Sequence, residues 1–120
     1  MKMDRIQWID FLCPRMKHIL QVKFSKEYQY DFVLAEGAVK HSIWMMQTGN
    51  FRHCSFVNEE EILGVVGIEG NDEGALRRIV DCWYKSNRHN LALRNNDLFG
   101  IGLAYDDRLD LLYATIRLRR

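Results

Sequence analysis

The chain has 120 residues, 48% of them hydrophobic and 12% aromatic, with 17 Lys and Arg against 16 Asp and Glu for a formal net charge of +1. That length and composition suit one domain with a real core and exclude a disordered chain. The near-neutral balance gives no reason to expect nucleic acid as a partner, and no apolar run approaches the roughly 18 residues of a membrane helix.

Residues 3 to 22 carry apolar positions at Ile6, Ile9, Phe11, Leu12, Met16, Ile19 and Leu20. Pro14 lacks an N–H and clashes with the preceding turn, so two short helical pieces are expected around it. Ser25 is the expected N-cap of a long helix running to about Gln47. Tyr28, Phe32, Ala35, Val39, Ser42 and Met46 recur at spacings of three and four, which puts them on one helical face. Gly37 inside that helix permits close packing, and Gly49 and Asn50 end it. Phe51 to Glu61 reads as loop, and Ile62 to Ile68 as a short buried strand.

Asn71 or Asp72 caps a third helix, whose Leu76, Ile79, Val80 and Trp83 fall at i, i+3, i+4 and i+7. Cys82, beside Trp83, reads as a small core residue. His89 to Arg94 adds a helical turn. Phe99 to Tyr105 and Leu111 to Leu118 read as an antiparallel hairpin turning at Asp106 to Asp110. In the second of these strands Leu112, Ala114, Ile116 and Leu118 share one face, and Leu111, Tyr113, Thr115 and Arg117 share the other. The closing cluster of Arg117, Arg119 and Arg120 reads as a solvated strand edge, with an anion or lipid-headgroup patch as the alternative. Helices packed on an antiparallel sheet make an α+β architecture. With no linker or repeat, residues 1–120 are expected to form a single domain.

Cys13, Cys54 and Cys82 are three in number, so they cannot all pair within the chain, and no CxxC spacing occurs. This fits a reducing compartment. Asp4, Arg5, Asp10, Arg15 and Lys17 interrupt any apolar stretch near the start, unlike a signal peptide. A cytoplasmic location is the expectation, with non-classical export as the alternative.

Two segments together resemble the CAP superfamily, the cysteine-rich secretory, antigen 5 and pathogenesis-related 1 proteins. In LAEGAVKHSIWMMQTGNFRH, Leu34, Ala38, His41, Ser42 and Met45 fit the family's long helix, and Phe51 and His53 its following loop. In WYKSNRHNLALRNNDLFGIGLAY, Trp83, Ser86, His89, Leu93, Gly100, Ile101, Gly102 and Ala104 fit the bacterial-type pattern. The likeness covers roughly residues 30 to 118; residues 1–25 lie outside it. It implies a three-layer α-β-α sandwich with a small antiparallel sheet.

The resemblance also implies a cleft holding two histidines and two glutamates, which in some members binds a divalent metal such as zinc. His53 and His89 match the histidines. Glu60 aligns best with the first glutamate, with Glu59 and Glu61 as alternatives, and all three can instead be a solvated charge run. The second glutamate falls on Ser86, so the set is at most a triad of His53, Glu60 and His89. Two imidazoles and a carboxylate are sound zinc ligands; the competing reading has both histidines bonding backbone. Cys54 and Ser86 are neighbours of that cleft, and a Cys54–His89 nucleophile pair is a further reading. His41 is expected to be a satisfied, buried or half-buried histidine, and His18 to lie at the surface. Trp44, Met45 and Met46 can line a lipid groove or belong to the core. Gly100 and Gly102 form no dinucleotide fingerprint and instead permit a close backbone approach or a bulge.

Three functions follow. The first is a non-enzymatic CAP-like binding or interaction domain for a protein or other ligand. The second is a zinc-dependent hydrolase using His53, Glu60 and His89. The third is a carrier of a small lipid such as a sterol or fatty acid.

Overall fold

A computed structural model describes residues 5–54, 59–70 and 72–120, with residues 5–8 placed by their backbone alone. The elements are α1 (Arg5–Phe24), β1 (Gln29–Tyr30), α2 (Phe32–Thr48), β2 (Glu60–Gly67), α3 (Asp72–Lys85), α4 (Asn87–Asn95), β3 (Leu98–Asp106) and β4 (Leu111–Arg119).

α1 runs unbroken through Pro14, where the sequence predicts two pieces. An interior proline removes a hydrogen bond and costs about 3 kcal/mol. Pro14 faces solvent, while Leu12, Met16, Ile19, Leu20 and Phe24 are buried along the helix. Each such side chain contributes about 1.5–3 kcal/mol on burial, so the packed face outweighs the lost bond. Ser25 closes α1 and does not cap the next helix. It sits at φ 50°, and the N–H groups of Ser25 and Lys26 bond back to Val22 and Gln21.

The cap of α2 is Asp31, whose carboxylate accepts the Leu34 N–H at 2.9 Å. Gly49, at φ 71°, ends the helix. The buried face is Leu34, Ala35, Ala38, His41, Ser42 and Met45, rotated from the predicted stripe so that Phe32 and Val39 are exposed. The reason lies in β3. A Cβ at Gly100 would overlap the backbone of Ala35, and one at Gly102 the backbone of Ala38. The small residues of α2 therefore lie directly on the glycines of β3.

The sheet order is β1-β3-β4-β2. β4 pairs antiparallel with both β2 and β3, while β1 runs parallel to β3 through Gln29–Leu98 and Tyr30–Phe99. The sheet is thus mixed and not purely antiparallel, because two residues are too few to show a strand period. On the other face, α1, α3 and α4 bury Leu76, Ile79, Trp83 and Leu93 in one cluster with Ile101, Leu112 and Ile116, which completes three layers. Trp83 Nε1 donates to the Leu63 carbonyl at 2.9 Å. Cys82 is exposed, correcting its expected core position: it sits about 100° around the helix from Trp83 and off the buried stripe. Asn71, one of the two expected caps of α3, lies outside the described residues.

Candidate functional site

The layer between α2 and the sheet is polar at its centre. Ser42 Oγ lies 2.8 Å from both the Gly102 carbonyl and Thr115 Oγ1. The carbonyl can only accept, so the Ser42 hydroxyl donates to it and Thr115 donates to Ser42. Further along the same face, β2 places Glu61 opposite Arg117 of β4.

Glu61 holds this end of the molecule together. Its side chain is 4% exposed. Oε1 accepts from His53 Nδ1 at 3.1 Å and from the Cys54 N–H at 3.0 Å. Oε2 accepts from Arg117 Nε at 3.1 Å. One carboxylate therefore ties the segment after α2 to the last strand. His41 pins the same segment from above: its Nε2 donates to the Arg52 carbonyl at 2.8 Å, and its ring stacks on Trp44 at 5.4 Å. A buried, bonded His41 and an exposed His18 match their sequence readings.

Two cavities flank the His53–Cys54 segment. The first, of about 440 Å³, lies between α2 and residues 52–54 and is lined by Gly37, Lys40, Trp44, Arg52 and Arg117, among others. The second, of about 390 Å³, is lined by His53, Cys54, Glu60, Glu61, Ser86 and His89, among others. All residues named for the metal cleft and its neighbours thus border one space. The contacts within it are more specific. It is Glu61, not Glu60, that bonds His53, because strand alternation turns Glu61 toward α2 and leaves Glu60 exposed. The Glu59–Glu61 stretch is therefore no uniform solvated run, and His53 bonds a carboxylate, not backbone.

His89 is harder to protonate than an ordinary histidine, through burial first and then the nearby charges of His53 and Arg88. Its ring is thereby kept in the neutral form that a metal or a proton donor would meet. Ser86 stands at the N-cap of α4 without a side-chain cap bond. Of the lipid-groove residues, Trp44 lines the first cavity. Met45 is fully buried with Leu63 and Tyr113, and Met46 packs on that cluster. Arg117 is not a solvated edge residue: its side chain is 13% exposed, and its guanidinium occupies the space a Cβ on Gly37 would fill.

No protein-family model matches the sequence, and no curated protein matches it. Solved structures of other proteins share the architecture. An outer surface protein from Borrelia burgdorferi superposes at a TM-score of 0.67 with 20% identity, over 100% of this chain and 98% of that one. BmVAL-1, a CAP/SCP/VAL protein, superposes at 0.58 with 15% identity over 76% of this chain. The fold is CAP-like. This chain spans 57% of the length of BmVAL-1, and at these identities the likeness is one of fold alone.

Within this CAP-like frame, Gly37, Lys40 and Arg52 had no motif to reveal them. Their signal is spacing: Gly37, Lys40, His41 and Trp44 fall at i, i+3, i+4 and i+7 on α2. No helix among the described residues is long and apolar enough to cross a membrane.

Proposed function

We propose that this chain is a non-enzymatic CAP-like binding domain, recognising its partner at the open end of the α2 face, in the cleft and along residues 51–54. The observation that carries this reading is the commitment of Glu61. Both its oxygens are occupied by the Cys54 amide, His53 and Arg117, so the best-placed carboxylate is structural rather than free to act as a base. What remains is a preformed pair of concave sites, as binding sites generally are. Arg52 lines the first of them, and the preceding Phe51 is 50% exposed. Hydrolysis of an ester, peptide or phosphoester substrate that disappears in His89→Ala would overturn this reading.

A second reading is a zinc-dependent hydrolase, favoured by the His53–Glu61 bond. Because Nδ1 carries the proton shared with Glu61, the neutral ring keeps its lone pair on Nε2, the arrangement in which a carboxylate orients a metal-ligating histidine. His53, His89 and Glu60 are donors of the kind zinc takes and border one cavity, but no three such side chains among the described residues stand close enough together to form a ligand set, so they would have to move to hold it. Bound zinc would supply a Lewis acid and a water of lowered pKa. Calorimetric titration with zinc tests this: one-to-one binding lost in both His53→Ala and His89→Ala supports it, and no affinity in the folded protein removes it.

The three free cysteines favour a reducing compartment, whereas the Borrelia neighbour is by its name a protein of an outer surface. Immunodetection in intact against permeabilised cells separates the two settings.

A further inference from the structure

The first cavity is cationic in a way the CAP-like cleft reading does not use. Lys40, Arg52 and Arg117 contribute three positive charges to its wall, against one buried carboxylate, Glu61, behind Arg117. Lys40 also meets Glu36 at 3.3 Å, but both side chains are more than half exposed, where such a pair is worth little. Arg117 uses only Nε on Glu61; among the described residues no acceptor meets Nη1 or Nη2. No fully buried side-chain nitrogen among the described residues lacks a partner, so neither donor is sealed off, and the side chain that carries them lines the cavity. A guanidinium with two free parallel N–H groups is the fitting donor for a carboxylate.

The rest of the wall is flat. The Trp44 ring stacks on His41 at an interplanar angle of 19°, and the Arg52 guanidinium lies 5.4 Å from the Trp44 ring centroid. Gly37 gives the space: without a Cβ it lets the Arg117 guanidinium lie against α2. The volume of about 440 Å³ falls within the roughly 300–1,000 Å³ of small-molecule sites.

We infer that this cavity binds a small organic anion, a carboxylate carried on a flat apolar body, with the carboxylate on Arg117 between Lys40 and Arg52 and the body along Trp44. The inference rests on the binding-domain reading and names the ligand class of one of its two cavities. It also gives Gly37 a role: it is the position that admits the anion-binding guanidinium.

The test is amide and indole chemical-shift mapping with 2-naphthoate, its neutral isostere 2-naphthamide, and palmitate. Naphthoate is expected to move the Trp44 indole N–H and the amides of Arg52 and His53, and naphthamide to bind at least tenfold more weakly. Gly37→Ala displaces only the flexible end of Arg117, so it is expected to weaken naphthoate at least tenfold in a protein that still melts cooperatively. Arg117→Lys keeps the charge and the Glu61 contact but not the paired donors, and should do the same. Equal binding of the amide, or a Gly37→Ala protein with unchanged affinity, overturns the inference. So does palmitate binding here with naphthoate excluded. Naphthoate shifts confined to Ser86, His89 and Ala92 also overturn it while leaving the binding-domain reading standing, because the ligand then sits in the second cavity. No shift at millimolar naphthoate in the folded protein removes this inference and returns the broader reading to its own hydrolysis test.

Discussion

Leu112, Ala114, Ile116 and Leu118 of β4 join the cluster beneath α1 and α3, while Tyr113, Thr115 and Arg117, alternating with them, turn toward α2. The same strands thus present two unlike surfaces. One is a continuous apolar layer that tolerates small adjustments of volume. The other is thin and polar: glycines set the approach of α2, Ser42 and Thr115 satisfy each other, and Glu61 with Arg117 closes the end next to both cavities. The difference teaches where function can be housed. The apolar face holds the layers together, and the α2 face places polar groups, at the cost of burying and satisfying each of them.

The largest expected effect breaks the thin face. In Gly100→Ala the new methyl meets backbone of α2, which cannot turn aside as a side chain could. Overpacking of this kind costs about 3 kcal/mol, or roughly 10 °C or more in Tm for a domain of this size. On the opposite face Ile116→Val, at a fully buried position, should cost about 1 kcal/mol. Thermal unfolding of the two variants side by side checks the contrast, and equal losses would show that the faces do not differ in tolerance.

Next in size is the ion pair. Glu61→Met leaves the 13% exposed Arg117 without its counter-charge and releases the bonds to His53 and Cys54. Breaking a fully buried pair from one side costs about 3–5 kcal/mol, and with Arg117 still partly open to the first cavity about 2 kcal/mol is expected here, whereas replacing both partners with apolar residues is often near neutral. Urea unfolding should therefore show Glu61→Met/Arg117→Met more stable than Glu61→Met alone. If the double variant is the weaker, Arg117 is held by more than Glu61.

The apolar face was legible in the sequence and much of the polar face was not. The i, i+3, i+4, i+7 stripe of α3 and the alternation in β4 are repeated signals, and all of Leu76, Ile79, Val80 and Trp83 are buried as they imply. Gly100 and Gly102 were legible as a close approach because glycine in a strand has few other uses. Glu61 was legible only as an alternative to Glu60, since choosing between neighbouring glutamates requires the β2–β4 register, which is set by contacts 56 positions apart. The rotation of α2 and the unbroken α1 failed for a related reason: both are decided by what the helix packs on, against the local preferences of Ser25 and Pro14. His53, His89, Cys54 and Ser86 come to one cavity through segments that no local pattern connects.

The smallest expected effect concerns His89, which belongs to neither face and borders the second cavity. Burial, with the charges of His53 and Arg88 behind it, lowers its proton affinity below that of a free histidine. The unfolded chain then binds a proton at higher pH than the folded one, starting near the ordinary value of about 6.5. Stability is full above that pH and declines as pH falls below it, until the lower folded value is passed and the loss levels off. In metal-free protein, the ring-proton titration of His89 should have its midpoint below the ordinary histidine value of about 6.5. His53→Ala removes one of the nearby charges and should move the His89 midpoint upward. A His89 midpoint at or above the ordinary value of about 6.5 would mean that the ring is more open to solvent than its place beside Ser86 and Ala92 implies. An unmoved midpoint in His53→Ala would separate the two histidines electrically, and with them the case for a shared ligand in the second cavity.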